Sequence, residues 1–138
     1  MQTFVPEQTY GACAYVLDNK RLGKQRVECK QIYLALTLPK YGWKNHPATK
    51  MWRGCETGLL QYAVAVCHEW RERGFNDTML VWFLDQRTEW SGLMVYPEWW
   101  GGEIHRTHQS NLIRKDPVWY SQHGWEVDDS LPYYWPVV

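Results

Sequence analysis

Asp18-Asn19-Lys20-Arg21-Leu22-Gly23-Lys24-Gln25-Arg26-Val27-Glu28-Cys29-Lys30-Gln31-Ile32-Tyr33-Leu34-Ala35-Leu36-Thr37-Leu38-Pro39 carries the start signal, the periodicity and the stop signal of one helix. Asp18 or Asn19 supplies the N-cap and Pro39 enforces the end, which predicts a helix over 20–38. At about 100° per residue, Leu22, Cys29, Ile32, Tyr33 and Leu36 fall in one apolar stripe. Arg21, Lys24, Glu28 and Gln31 gather on another face, with one carboxylate among two cations. A helix with this stripe needs an apolar partner.

The partner follows in Asn45-His46-Pro47. Asn45 is a good cap and Pro47 suits a first turn, so a helix is predicted from 47 to Arg73, where Gly74 provides the stop. Met51, Cys55, Leu59, Tyr62, Val66 and Trp70 recur at helical spacing within it, and Gly54 and Gly58 would permit close approach by another backbone. Asn76 or Asp77 caps a shorter helix over 78–87, and a fourth helix is expected over 103–115, ending before Asp116-Pro117. Residues 1–17, 88–102 and the aromatic tail from Val118 read as irregular. The expected fold is therefore all-α: one compact domain over 1–138, a bundle of about four helices with long aromatic loops.

A chain of 138 residues can bury a real core as one domain. Its formal net charge is zero, but the first 53 residues hold nine basic and three acidic side chains, and the remainder six and twelve. Such asymmetry keeps a polyanionic partner in view. No apolar run approaches the ~20 residues of a membrane span, and residues 1–14 lack a signal-peptide layout. The reading is a cytoplasmic chain without a membrane partner. Cys13, Cys29, Cys55 and Cys67 show no metal-like spacing and read as small apolar residues. Ten tryptophans exceed what small-core filling needs, so some are expected at the surface.

Two polar clusters could carry chemistry. In the segment Asp18–Glu28, the plain reading is a solvated helix face with Lys24 and Glu28 as an i,i+4 pair. The sharper reading is a phosphate-gripping face around one acid that acts as general acid/base or electrostatic stabiliser. In Glu103–Lys115, His105 and His108 share a face with Lys115; no third metal ligand has a convincing spacing, and phosphate or base contact is the favoured role. His46 is either a capping residue or an anion contact at a helix N-terminus. Signatures of serine hydrolases, P-loop NTPases, dinucleotide enzymes and zinc deaminases are missing from the sequence.

Three stretches in matching order resemble the pyrimidine-dimer DNA glycosylase family of the endonuclease V type. They are the polar helix from Asp18 to Ile32, His46 with the helix closing in Arg73-Gly74-Phe75-Asn76, and Arg114-Lys115-Asp116-Pro117-Val118-Trp119-Tyr120 with Gly124. Leu22-Gly23-Lys24-Gln25-Arg26, Asn45-His46-Pro47-Ala48 and His105-Arg106-x-His108 look like the bacterial and actinophage branch of that family. The resemblance implies a DNA N-glycosylase acting on damaged or modified pyrimidines in duplex DNA, with abasic-site lyase activity, as a monomer and without a cofactor. An N-terminal amine would attack the sugar carbon to form an imine, and a helix glutamate would stabilise the cationic intermediate. The α-amine as a class suits this step, because its ordinary pKa of about 7.7–8.0 leaves a useful neutral fraction.

Transferred to this sequence, the nucleophile is the amine of Met1 or, with Met1 removed, of Gln2, and the carboxylate is Glu28. Arg21, Lys24, Arg26, His46, His105, His108, Arg114 and Lys115 are the expected DNA contacts. The sequence departs from the family pattern in having Gln2 where threonine follows the initiator Met, and Val27 between an arginine and a glutamate that are adjacent in the family. Gln2 is bulky enough to oppose Met removal. Two other readings compete: a DNA-binding or base-modifying relative without lyase chemistry, and a Trp-rich protein-interaction module.

Overall fold

The computed structural model describes residues 1–86 and 92–136. Its elements are α1 (Tyr10–Val16), α2 (Asn19–Thr37), α3 (Pro47–Lys50), α4 (Glu56–Glu72), α5 (Leu80–Gln86), α6 (Ile104–Lys115) and α7 (Pro117–Tyr120), followed by a 3-10 turn over Ser121–His123. The described residues contain no strand, and the fold is all-α.

α2 starts where its cap requires: the Asp18 carboxylate accepts from the Arg21 amide, and Leu38 ends the helix ahead of Pro39. The expected stripe packs inward, with Leu22, Cys29 and Ile32 fully buried against α4. α1 and α5 also pack on α4, which makes α4 the hub of the bundle.

Three sequence expectations are corrected. The helix predicted over 47–73 is two helices, because Gly54 takes a left-handed φ of 86° and turns the chain between α3 and α4. The cap of α3 is His46, whose ring Nδ1 accepts from the Ala48 amide, rather than Asn45. The irregular stretch 1–17 contains α1, capped by Thr9. Arg87, placed at the end of the helix predicted over 78–87, lies outside the described residues.

Gly58 does provide the expected close approach. A Cβ there would stand 2.7 Å from the Val95 carbonyl oxygen and 2.8 Å from the Tyr10 hydroxyl. That hydroxyl donates to the same carbonyl at 2.7 Å. Around this contact Tyr10, Trp52, Tyr62, Tyr96, Trp99 and Trp100 interlock edge and face; among the described tryptophans Trp52 is fully buried, and the others are half-buried or, at Trp43, exposed.

Candidate active site

The first six residues form no helix, yet residues 2–6 are buried. Buried backbone outside secondary structure must find its hydrogen bonds elsewhere, and here side chains from three helices supply them, while the α3–α4 turn holds the Thr3 side chain. Gln25 of α2 spans two residues, accepting from the Phe4 amide at 2.9 Å and donating to the Gln2 carbonyl at 2.7 Å. Tyr62 of α4 donates to the Phe4 carbonyl at 2.5 Å, and the Trp52 indole donates to the Thr3 hydroxyl at 2.9 Å. From α6, His108 Nδ1 accepts from the Val5 amide, His105 Nδ1 donates to the Val5 carbonyl, and Gln109 donates to the Pro6 carbonyl.

The histidine tautomers follow from these partners. His105 Nε2 accepts from the Gly101 amide, so its proton is on Nδ1. His108 carries its proton on Nε2, which is buried with no partner among the described residues. Burial pushes His108 down to about 3 and also lowers His105. Both rings are therefore neutral clamps on the N-terminal segment, and the expected phosphate contact by His105 and His108 gives way to this structural role.

The segment delivers residues 1 and 2 to an open cavity of about 340 Å³. Gln2 is 7% exposed and Glu28 is 9% exposed. The Gln2 amide donates to Glu28 Oε2 at 2.9 Å, and Lys24 Nζ stands 3.7 Å from Glu28 Oε1. Met1, Lys20, Arg21 and Lys115 complete a cationic rim, while Phe4, Tyr133 and Trp135 supply apolar wall. His46 stands beside them, its ring edge-on to Trp135. Burial, and then the positive charge of the chain's first amine, press His46 below its usual pKa. One carboxylate thus faces a ring of amines and a guanidinium across a space open to solvent.

Of the expected site residues, Met1, Gln2, Arg21, Lys24, Glu28 and Lys115 line this cavity and His46 flanks it. Arg21 is also paired with the cap residue Asp18 at 3.1 Å. Lys115 comes from the acidic half of the sequence, so the charge boundary in sequence is not a boundary in space.

Arg114 points elsewhere. It donates to the Ser110 and Asn111 side chains and to the Asp129 and Leu131 carbonyls, which ties the C-terminal tail to α6. The Pro-x-Trp-Tyr segment is likewise structural. Tyr120 bonds the Asp18 carboxylate, and the Trp119 indole donates to the Val16 carbonyl. Lys20, Gln25, Tyr133 and Trp135 were not anticipated. Lys20 and Gln25 both lie in the polar segment Asp18–Glu28, with Gln25 at an angle inside the apolar stripe, while Tyr133 and Trp135 left no signal.

Arg26 also leaves the cavity. Its guanidinium pairs with Asp77 at 2.5 Å and lies 4.5 Å from the centre of the Trp70 ring. The Asp77 side chain is only 1% exposed and also caps α5, accepting from the Met79 and Leu80 amides. Asp77→Ala therefore strands a partly buried guanidinium and removes a cap, and is expected to lower the unfolding free energy by about 3–5 kcal/mol. Burial by itself would raise the Asp77 carboxyl, but the hydrogen bonds from Arg26 and the two amides outweigh it and hold the group below its ordinary 3.8. Because the folded pKa is the lower one, the unfolded chain takes up this proton first as pH falls. The stabilisation is complete well above 3.8 and is lost as the pH falls from there through the lower folded value. Urea midpoints at neutral and acid pH check both points: the variant should be less stable at neutral pH and should lose less on acidification.

Among the described residues, no group of three His, Cys, Asp or Glu side chains is placed to hold a metal ion. No described helix is long and apolar enough to cross a membrane. Searches of curated proteins and of solved structures returned no significant match. A family model described as pyrimidine dimer DNA glycosylase matches residues 1–82, the part that holds Met1, Gln2, Lys20, Arg21, Lys24, Gln25, Glu28 and His46. That match covers more than half of the chain, which belongs to the pyrimidine dimer DNA glycosylase family.

Proposed function

We propose that this chain is a DNA glycosylase with abasic-site lyase activity that removes a damaged or modified pyrimidine from duplex DNA. The carrying observation is the buried N-terminal segment, whose backbone is held by Gln25, Tyr62, His105 and His108 so that Met1 and Glu28 share one cationic cavity. Fixing the first residues of a chain against the loss of backbone entropy is costly, and a terminus held in a cavity is suited to act as a positioned reagent.

In this reading the lone pair of the Met1 amine attacks the sugar C1′ of the target nucleotide. The bond from C1′ to the base breaks, its electron pair leaves with the base, and the base takes up a proton. The amine nitrogen then passes a proton by way of Glu28 to the sugar ring oxygen, which leaves C1′ with the bonding pair as a hydroxyl, and a cationic imine remains on the protein. Loss of a proton from C2′ expels the 3′ phosphate oxygen and cuts the strand. The imine is then hydrolysed. Glu28 stabilises the cation and is the nearest carboxylate to receive a proton. Lys20, Arg21, Lys24 and Lys115 meet the phosphates on either side.

The test is borohydride reduction of the protein mixed with duplex that carries a cyclobutane pyrimidine dimer or an abasic site. A covalent protein–DNA adduct on the lesion strand is the expected result with both duplexes; on the dimer duplex one glycosidic bond is cut, which is read as free base after photoreversal of the cyclobutane ring. Salt-sensitive duplex binding with neither adduct nor base release would favour the non-lyase relative, and no binding at low salt would favour the protein-interaction module.

A further inference from the structure

We propose that Arg114 is a positioning residue for the reacting terminus. It latches the C-terminal tail to α6, and Tyr133 of that tail holds the N-terminal segment where Met1 and Glu28 share the cavity. This rests on the functional reading above and adds a residue that acts on the nucleophile through the tail. Residues 124–136 contain no helix or strand, so their backbone groups need partners from elsewhere. Side chains of α6 provide them. The Leu131 amide donates to Ser110 Oγ at 2.9 Å, and the Tyr134 amide donates to Thr107 Oγ1 at 3.2 Å. The Leu131 carbonyl accepts from Asn111 at 3.1 Å and from Arg114 at 2.8 Å. Arg114 also takes the Asp129 carbonyl and bonds the side chains of Ser110 and Asn111. The three side chains that hold Leu131 are therefore one hydrogen-bonded unit around its guanidinium.

α6 grips the N-terminal segment as well. His105, His108 and Gln109, which hold residues 5 and 6, fall within about 100° of the helix circumference. Thr107, Ser110, Asn111 and Arg114 fall within about 100° on the roughly opposite side. The tail passes from its own face toward the other. Tyr133 meets the His108 ring edge-on at 5.6 Å and the Phe4 ring at 6.5 Å. Trp135 follows, 5.8 Å from Tyr133 and 6.1 Å from His46. Both rings line the cavity with Met1 and Glu28. Earlier in the tail, the Trp125 indole donates to Glu7 Oε1 at 2.7 Å. His108 is fully buried with Phe4 and Tyr133 against its ring. Lifting Tyr133 would admit water to the ring whose Nδ1 accepts from the Val5 amide. The hold on the first residues would slacken, and a misplacement of about 1 Å at reacting atoms costs as much as ~10²-fold in rate.

The experiment pairs amide hydrogen exchange with single-turnover borohydride trapping on an abasic-site duplex. Arg114→Lys keeps the charge but lacks the planar fork that serves several acceptors at once. Its binding to that duplex should stay within about twofold of wild type, and its trapping rate should fall by about ten- to a hundredfold. Exchange at the Gln2, Phe4 and Val5 amides should speed up while the α4 amides stay protected. Tyr133→Ala should behave in the same way, and Tyr133→Phe should match wild type because the ring makes the contact. Since Arg114 acts through Tyr133, Arg114→Lys with Tyr133→Ala should be no slower than Tyr133→Ala alone. Unchanged trapping, unchanged exchange at residues 2–5, or additive losses in the double variant would overturn the positioning role. So would a loss of protection across α4, which would make Arg114 a general stability residue. A wild-type protein that forms no borohydride adduct would instead overturn the functional reading, while exchange would still decide whether the tail holds the N-terminal segment.

Discussion

Nα-acetylation at Met1 is expected to abolish the borohydride-trapped complex and base release, while duplex binding stays within about twofold because only one cation is lost. Acylation draws the nitrogen lone pair into amide resonance, and an amide nitrogen cannot form an imine. The fold should survive, because the anchoring contacts begin at the Gln2 amide, which donates to Glu28 at 2.9 Å whether or not Met1 is capped. The same contact bears on register. In the proposed reading the Gln2 nitrogen meets Glu28 as an amide, and the reacting amine is that of Met1, which also lines the cavity. Lys20, Lys24 and Lys115 are competing amines, with Lys24 closest to Glu28 at 3.7 Å. Lys24 is already engaged with the Glu28 carboxylate, which leaves the terminal amine as the proposed nucleophile. Lys24→Arg should accordingly preserve trapping. Trapping by the acetylated protein, lost in Lys24→Arg, would move the nucleophile to the side chain.

How much of this was legible in the sequence depends on the range of the interaction. α2 could be read because its cap, stripe and stop all lie within 18–39. α1 could not, since seven residues show too little periodicity, and what fixes it is Tyr10 packed among rings from residues 52, 62, 96 and 100. Gly54 and Gly58 look alike in sequence. One breaks the helix and the other lets Tyr10 and Val95 approach, a difference set by partners far along the chain.

The site divides in the same way. Lys24 and Glu28 are about 40° apart on the helix, so their shared face was readable, while Arg26 is about 160° from each. That angle already argued against Arg26 as a cavity residue, and its pairing with Asp77 agrees. The roles of Gln25, His105 and His108 were hidden because their partners are backbone groups of residues 2–5, between 21 and 103 positions away. A histidine pair on a helix reads as chemistry when its backbone partner is unseen. Lys115 and Arg114 are neighbours in sequence, yet one lines the cavity and the other ties down the tail.

Glu28→Gln is the substitution that separates the carboxylate's charge from its shape. Gln can still accept from the Gln2 amide through its carbonyl oxygen, so the N-terminal segment should keep its position, with a stability cost of about 1 kcal/mol for exchanging a charge-assisted bond for a neutral one. What disappears is the negative charge among Lys20, Arg21, Lys24 and Lys115. The imine intermediate is itself cationic, and without Glu28 it would form inside an uncompensated positive ring. Base release and strand cleavage should therefore fall by about 10²–10⁴-fold, the scale of a lost general acid/base or a lost preorganised charge. Binding to duplex should hold or tighten, since a charge of the same sign as the phosphates has been removed. Glu28→Asp adds a second constraint, because it keeps the charge but draws it back from the 2.9 Å contact with Gln2. If charge alone matters, Asp should stay close to wild type; if the contact with the N-terminal segment also matters, Asp should fall between wild type and Gln. Single-turnover base release, read beside the binding constant for each variant, distinguishes these outcomes. Gln activity within tenfold of wild type would remove Glu28 from the chemistry and leave it as an anchor for residue 2.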